Sequence, residues 1–179
     1  MKALTRLALV SFLATLPARP FAFANEPLVS KALQLTEVSL DLALWKLDHD
    51  VVDDEGDPDF SADYVPDKLL SYITVFEIKM NDSDTSLDER VAKTIESLKA
   101  KAKFFKLHDC PEAYHPPTGW VCYAYEWAIT KTTPDGLTIA HVTTRDGRMI
   151  TKRVRIATPS NAQKEQDALT AFNSIKLKN

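Results

Sequence analysis

Residues 121–157 alternate and turn in a pattern that leaves little room for anything except an antiparallel meander. Tyr123, Tyr125, Trp127 and Ile129 are interleaved with smaller or polar neighbours, and a period of two sends successive side chains to opposite faces of a strand. Pro134-Asp135-Gly136 turns the chain into a second run at 137–144, and Asp146-Gly147 turns that into a third at 148–157. An Asp-Gly pair between alternating runs signals a hairpin, because the tight turn needs positive φ at its central positions.

Helices flank this meander. Ser86-Leu87-Asp88-Glu89 has the capping-box form, and Leu87, Val91, Ile95, Leu98 and Ala102 recur at three- and four-residue steps, which predicts a helix over 86–103. Ser160-Asn161-Ala162-Gln163 has the same form and opens a helix over 160–174, with Ala168, Leu169, Phe172 and Ile175 on one side. The β-prone run at 69–80 predicts a strand, and Phe104, Phe105 and Leu107 a shorter one. Val38, Leu40, Leu42 and Leu44 alternate like a further strand, although Leu33, Leu35 and Leu47 could also serve a helix, while 48–67, rich in Asp and holding Gly56, Pro58 and Pro66, reads as an acidic loop.

Hairpins with segregated helices imply an α+β fold: an antiparallel sheet with both helices packed on one face, a two-layer sandwich. The order strand, helix, meander carrying Tyr125-Glu126-Trp127, then Pro159 and a closing helix ending Ala171-Phe172-Asn173-Ser174-Ile175-Lys176-Leu177, resembles the PsbP-like sandwich domains over residues 69–177. The resemblance implies a small, often exported protein with an accessory or binding role. It carries over no active-site signature.

Residues 1–24 have the form of a cleavable export signal. Lys2 and Arg6 precede a short apolar run from Leu7 to Leu16, and Ala22-Phe23-Ala24 supplies the small residues a signal peptidase needs. The run is far shorter than the roughly 20 residues that a bilayer-spanning helix requires. Cleavage near Ala24 would leave 25–179 as one exported domain, periplasmic or secreted, with no stable membrane anchoring. The signal holds Lys2, Arg6 and Arg19 and no acid, so its loss takes the net charge from −3 to −6, a sign that argues against nucleic-acid binding.

Cys110 and Cys122 are the only cysteines, and in an oxidising compartment they are expected to form a disulfide. His108, Asp109 and His115 lie beside them and leave a soft-metal reading open, although the spacing lacks the C-x-x-C regularity of zinc sites. Hydrolase, zinc-protease and phosphate-loop signatures are missing from the sequence, and His141 sits mid-strand, so no catalytic residues and no cofactor are assigned.

The stretch 48–67 carries Asp48, Asp50, Asp53, Asp54, Glu55, Asp57, Asp59, Asp63 and Asp67, with no Lys or Arg. Asp50, Asp53, Asp54, Glu55 and Asp57 have the hard oxygens that calcium takes, without the register of an EF-hand. The same concentrated charge would also steer a basic partner surface, with Asp53, Asp54, Glu55 and Asp57 as its contacts, or simply keep a loop solvated. Tyr114 and Trp120, inside the cysteine loop, are candidate partner anchors, and Trp120 could equally begin the next strand. These features point to a non-catalytic exported protein that contacts a protein partner, such as a periplasmic immunity or inhibitor protein. A calcium- or small-ligand-binding accessory module is the alternative, and an unrecognised hydrolase comes third.

Overall fold

A computed structural model describes residues 34–48, 60–67, 71–80 and 86–178. In chain order the strands are β1 (Thr36–Glu37), β2 (Trp45–Asp48), β3 (Phe60–Tyr64), β4 (Tyr72–Lys79), β5 (Phe104–His108), β6 (Val121–Ala128), β7 (Gly136–Arg145), β8 (Arg148–Ala157) and β9 (Lys176–Leu177). The helices are α1 (Leu87–Lys101) and α2 (Ala162–Ser174). Seven strands make one antiparallel sheet in the order β2-β3-β4-β8-β7-β6-β5, and β1 pairs with β9 in a separate two-stranded ladder. This is the expected α+β sandwich of antiparallel sheet and helices.

The meander forms as its turns dictate. Asp146 and Gly147 both adopt positive φ, 52° and 70°, and the β7–β8 ladder closes on them with Arg145 opposite Arg148. Ser86 Oγ accepts from the Glu89 amide at 3.4 Å, and a Glu89 carboxylate oxygen accepts from the Ser86 amide at 2.9 Å, completing the capping box of α1. The cap of α2 differs from expectation by one residue. Asn161, extended at φ −141°, accepts from the Lys164 amide at 2.8 Å, and Ser160 lies outside the helix. With lysine rather than a carboxylate at the third position, Asn161 caps alone.

Three expectations need correction. First, the helices divide between the two faces of the sheet instead of sharing one. Ala124, Ile139, Ile150 and Val154 pack with Ala168, Phe172 and Ile175 of α2, whereas Tyr123, Tyr125, Ala140, Val142 and Met149 pack with Val91, Leu87, Ile95 and Leu98 of α1. Adjacent strand positions are thus apolar on both sides, and each face needs its own cover. Second, residues 38–44 are not a strand. Asp41 accepts from the Ala43 amide through its side chain and from the Leu44 and Trp45 amides through its carbonyl, folding a turn that leaves Leu42 exposed.

Third, the acidic stretch contains β3, which pairs with both β2 and β4. Ala62 and Tyr64 are buried, while Asp63 alternates outward. Tyr64 lies 5.3 Å from Trp45 across the ladder and donates its hydroxyl to Asp167 of α2. The signal segment and residues 49–59, including Asp50, Asp53, Asp54, Glu55, Asp57 and Asp59, lie outside the described residues. Among the described residues no helix is long and apolar enough to cross a membrane.

Candidate functional site: a cavity beside a stapled turn

Register places one row of polar side chains across the α2 face of the sheet. Cys122 of β6 stands opposite His141 of β7, and His141 opposite Lys152 of β8. Cys110, on the chain leaving β5, is bonded to Cys122 with their Cα atoms 5.9 Å apart. The bridge holds the one-turn helix Glu112–Tyr114 against the sheet and brings the Tyr114 carbonyl 3.2 Å from Cys110 Sγ.

His141 is 1% exposed, and its Nε2 lies 2.6 Å from the Tyr114 carbonyl oxygen. A carbonyl only accepts, so Nε2 carries the proton. Nδ1 is buried without a partner among the described residues. Burial pulls the imidazole pKa down to about 4, the Tyr114 carbonyl opposes this, and the Lys152 charge adds to it, so the ring is neutral at neutral pH.

Lys152 is 3% exposed, and Nζ donates to the Phe172 and Ile175 carbonyls at 3.1 and 3.0 Å, capping the C-terminal end of α2 from below. Its ammonium also lies 4.4 Å from the Phe172 ring centre and 5.5 Å from that of Trp120. Burial first, then Lys176, lowers its pKa to about 8.

Next to this row a cavity of about 490 Å³ opens between α2 and the stapled turn. Leu137, Ile139 and Ile156 form its floor, Pro111, Ala113 and Tyr114 one wall, and Ala162, Glu165, Gln166 and Leu169 the other. Tyr114 meets Phe172 edge-on at 5.5 Å, and its hydroxyl is buried with no hydrogen-bond partner among the described residues. Burial, reinforced by Glu165, pushes its pKa up to about 12, so it stays protonated. Such a space, apolar on the floor and polar along the helix, is of the size that small-molecule sites usually have. A second cleft of about 390 Å³ lies over β2 and β3, lined by Val38, Leu40, Leu42, Leu47, Phe60 and Ser39.

The structure relocates the sequence candidates. Tyr114 turns inward as a wall of the cavity, and Trp120 is half-buried, 6.3 Å from His141, so neither presents its ring as an exposed anchor. Their apolar bodies have a core to enter, which a twelve-residue span in isolation does not reveal. The soft-ligand grouping also changes membership. His108 pairs with Glu126 at 2.9 Å and His115 with the Glu112 carbonyl at 3.0 Å, whereas His141 is the residue whose ring reaches within 4.8 Å of both sulfurs. Those sulfurs are joined to each other, so they are not available as thiolates.

Lys152 was missed altogether. Its signal was a cation at an inward position, two residues from both Ile150 and Val154 in an alternating strand. Glu165, on the helix wall, carried no signal until the helix was placed on the sheet.

No protein-family model and no curated protein matches the sequence. Solved structures do resemble it. The solution structure of cyanobacterial PsbP (CyanoP) from Synechocystis sp. PCC 6803 matches with a TM-score of 0.52 and 16% identity, over 80% of this chain and 93% of that one. At that identity the likeness speaks for architecture and for nothing beyond it. The chain has a PsbP-like fold.

Proposed function

We propose that this is an exported, non-catalytic accessory protein that holds a small, predominantly apolar molecule in the cavity between α2 and the stapled turn. The observation that carries the reading is the cavity itself: about 490 Å³, floored by Leu137, Ile139 and Ile156 and rimmed by Glu165 and Gln166. Its walls are held before any ligand arrives, one by the Cys110–Cys122 bridge and the other by the packing of Ala168, Phe172 and Ile175. A preformed wall reduces the ordering cost of binding. Glu165 disfavours an anionic head group at the rim, so an uncharged or cationic molecule suits the site. The disulfide and the export-signal form of residues 1–24 support an oxidising compartment, periplasmic or secreted. Contact with a basic partner protein through Asp53, Asp54, Glu55 and Asp57 is the complementary part of this reading.

A fluorescence titration with the uncharged probe 1-aminoanthracene tests it. The probe should bind at one site per chain with blue-shifted emission. Ala113→Trp, an exposed change at the lip of the cavity, should weaken it by about tenfold or more. Equal affinity in the variant would remove the cavity from consideration.

A further inference from the structure

The opposite face of the sheet carries a charge with no counter-charge among the described residues. Alternation along β8 sends Arg153 and Arg155 to the face on which α1 packs, about 6.5 Å apart along the strand. Arg153 is flanked in register by Thr74 of β4 and Ala140 of β7, and Arg155 by Tyr72 and Thr138. The small neighbours let the guanidinium groups lie down over aromatic rings. Arg153 Cζ is 4.9 Å from the Phe76 ring centre and Arg155 Cζ 5.8 Å from that of Tyr72.

The two arginines differ in their partners. Arg155 reaches Asp135 at 3.5 Å, a carboxylate that Lys131 also holds. Arg153 lies beside Tyr125 and Tyr123 and has no carboxylate partner among the described residues, and its Nε, like that of Arg155, is sealed from solvent without an acceptor. Among the described side chains, the other acid on the strands of this face is Asp63, exposed on β3, two strands away from β8. A guanidinium offers five donors, and a half-buried one with a sealed Nε has unused capacity that an anion would fill. The neighbouring tyrosine hydroxyls can accept from it but are neutral. Tyr123 stacks on Tyr125 at 5.9 Å, and burial pushes the Tyr123 pKa up to about 12, so neither tyrosine supplies a negative charge at neutral pH.

We propose that Arg153, with Arg155 and the Tyr123 hydroxyl beside it, forms a binding site for an oxyanion, the carboxylate or phosphate group of a small molecule. The half-buried guanidinium of Arg153 supplies the fork, Phe76 and Tyr72 hold the two cations flat, and Asp135 keeps Arg155 from repelling its neighbour. The site lies on the other side of the sheet from the cavity and selects the opposite charge, so either can exist without the other.

Thermal denaturation of the purified protein tests this, at an ionic strength fixed with sodium chloride and with inorganic phosphate or benzoate replacing part of the chloride. A site with a dissociation constant on the order of 1 mM raises Tm by roughly 3 to 6 °C at about 10 mM anion. A gain with phosphate alone identifies a phosphate site, with benzoate alone a carboxylate site, and with both a general oxyanion site. Arg153→Met should abolish the gain and Arg155→Met should reduce it. If neither anion exceeds chloride, or if the gain survives in Arg153→Met, the proposal is overturned. Should Arg153→Met fail to fold, the Arg153 Nε–H resonance of the unmodified protein provides the second readout. A shift on adding the stabilising anion supports the site, and an unmoved signal overturns it.

Discussion

Acid should destabilise this protein through His141. His141 is neutral in the fold, with a pKa of about 4 against an ordinary 6.5, because it is buried and shares its row with Lys152. Between these values the unfolded chain binds the proton and the folded chain does not, so stability rises with pH through the window and is lost as pH falls through it. The full difference is about 3 kcal/mol, of which about 2.5 kcal/mol falls between about pH 7 and about pH 4.5. With a urea slope of about 2 kcal/mol/M, the denaturation midpoint should drop by roughly 1 M over that interval.

The assay is urea unfolding followed by tryptophan fluorescence at the two pH values, in wild type and His141→Gln. Glutamine keeps a donor for the Tyr114 carbonyl and does not titrate. Carboxylates elsewhere contribute their own acid sensitivity, which both proteins share, so the difference in slope isolates the histidine. If wild type and variant lose the same stability between the two pH values, the buried-neutral account of His141 is wrong, whatever their absolute stabilities.

Two further outcomes follow from geometry. Replacing both cysteines by serine frees a span of twelve residues and should cost about 3 kcal/mol by the chain-entropy relation, or a Tm lower by roughly 6 to 12 °C in calorimetry. An unchanged Tm would mean that the turn at Glu112–Tyr114 is held by packing alone. Gly136→Ala would place a Cβ 2.2 Å from the Ile156 carbonyl oxygen and should cost about 3 kcal/mol or more, whereas Gly147→Ala, with nothing within 4 Å, should cost about 1 kcal/mol for its positive φ. Equal losses in chemical denaturation would contradict the close approach at Gly136.

The elements that local chemistry decides were legible. The Ser86–Glu89 box, the Asp146-Gly147 turn and the alternation of β6, β7 and β8 each need a few adjacent residues, and each formed as expected except that β6 ends at Ala128 and leaves Ile129 exposed. What was not legible depended on partners distant in sequence. β3 hid inside an acidic run because Phe60, Ala62 and Tyr64 make only three inward positions, recognisable once β2 and β4 stand on either side. The helices were assigned to one face because period two says that a strand has two sides without saying which helix covers each. Tyr114 looked like a surface anchor because its loop is polar, and its burial against Phe172 spans most of the meander and a helix. The cavity and the Arg153 recess follow from the same long-range pairings, which is why composition gave no hint of either.

Lys152 also bears on how damage at the C-terminal end would spread. The ladder of β1 and β9 has two residue pairs, Thr36 with Leu177 and Glu37 with Lys176, too few to resist transient opening. When those rungs part, fraying would ordinarily run back into α2, where the Phe172 carbonyl has only a 3.4 Å bond from the Ile175 amide within the helix end. Here the Phe172 and Ile175 carbonyls are fastened from inside the sheet by a side chain that opening of the ladder does not reach. The lysine therefore acts as a firebreak: the final strand can detach and rejoin many times over while the helix wall of the cavity stays in place.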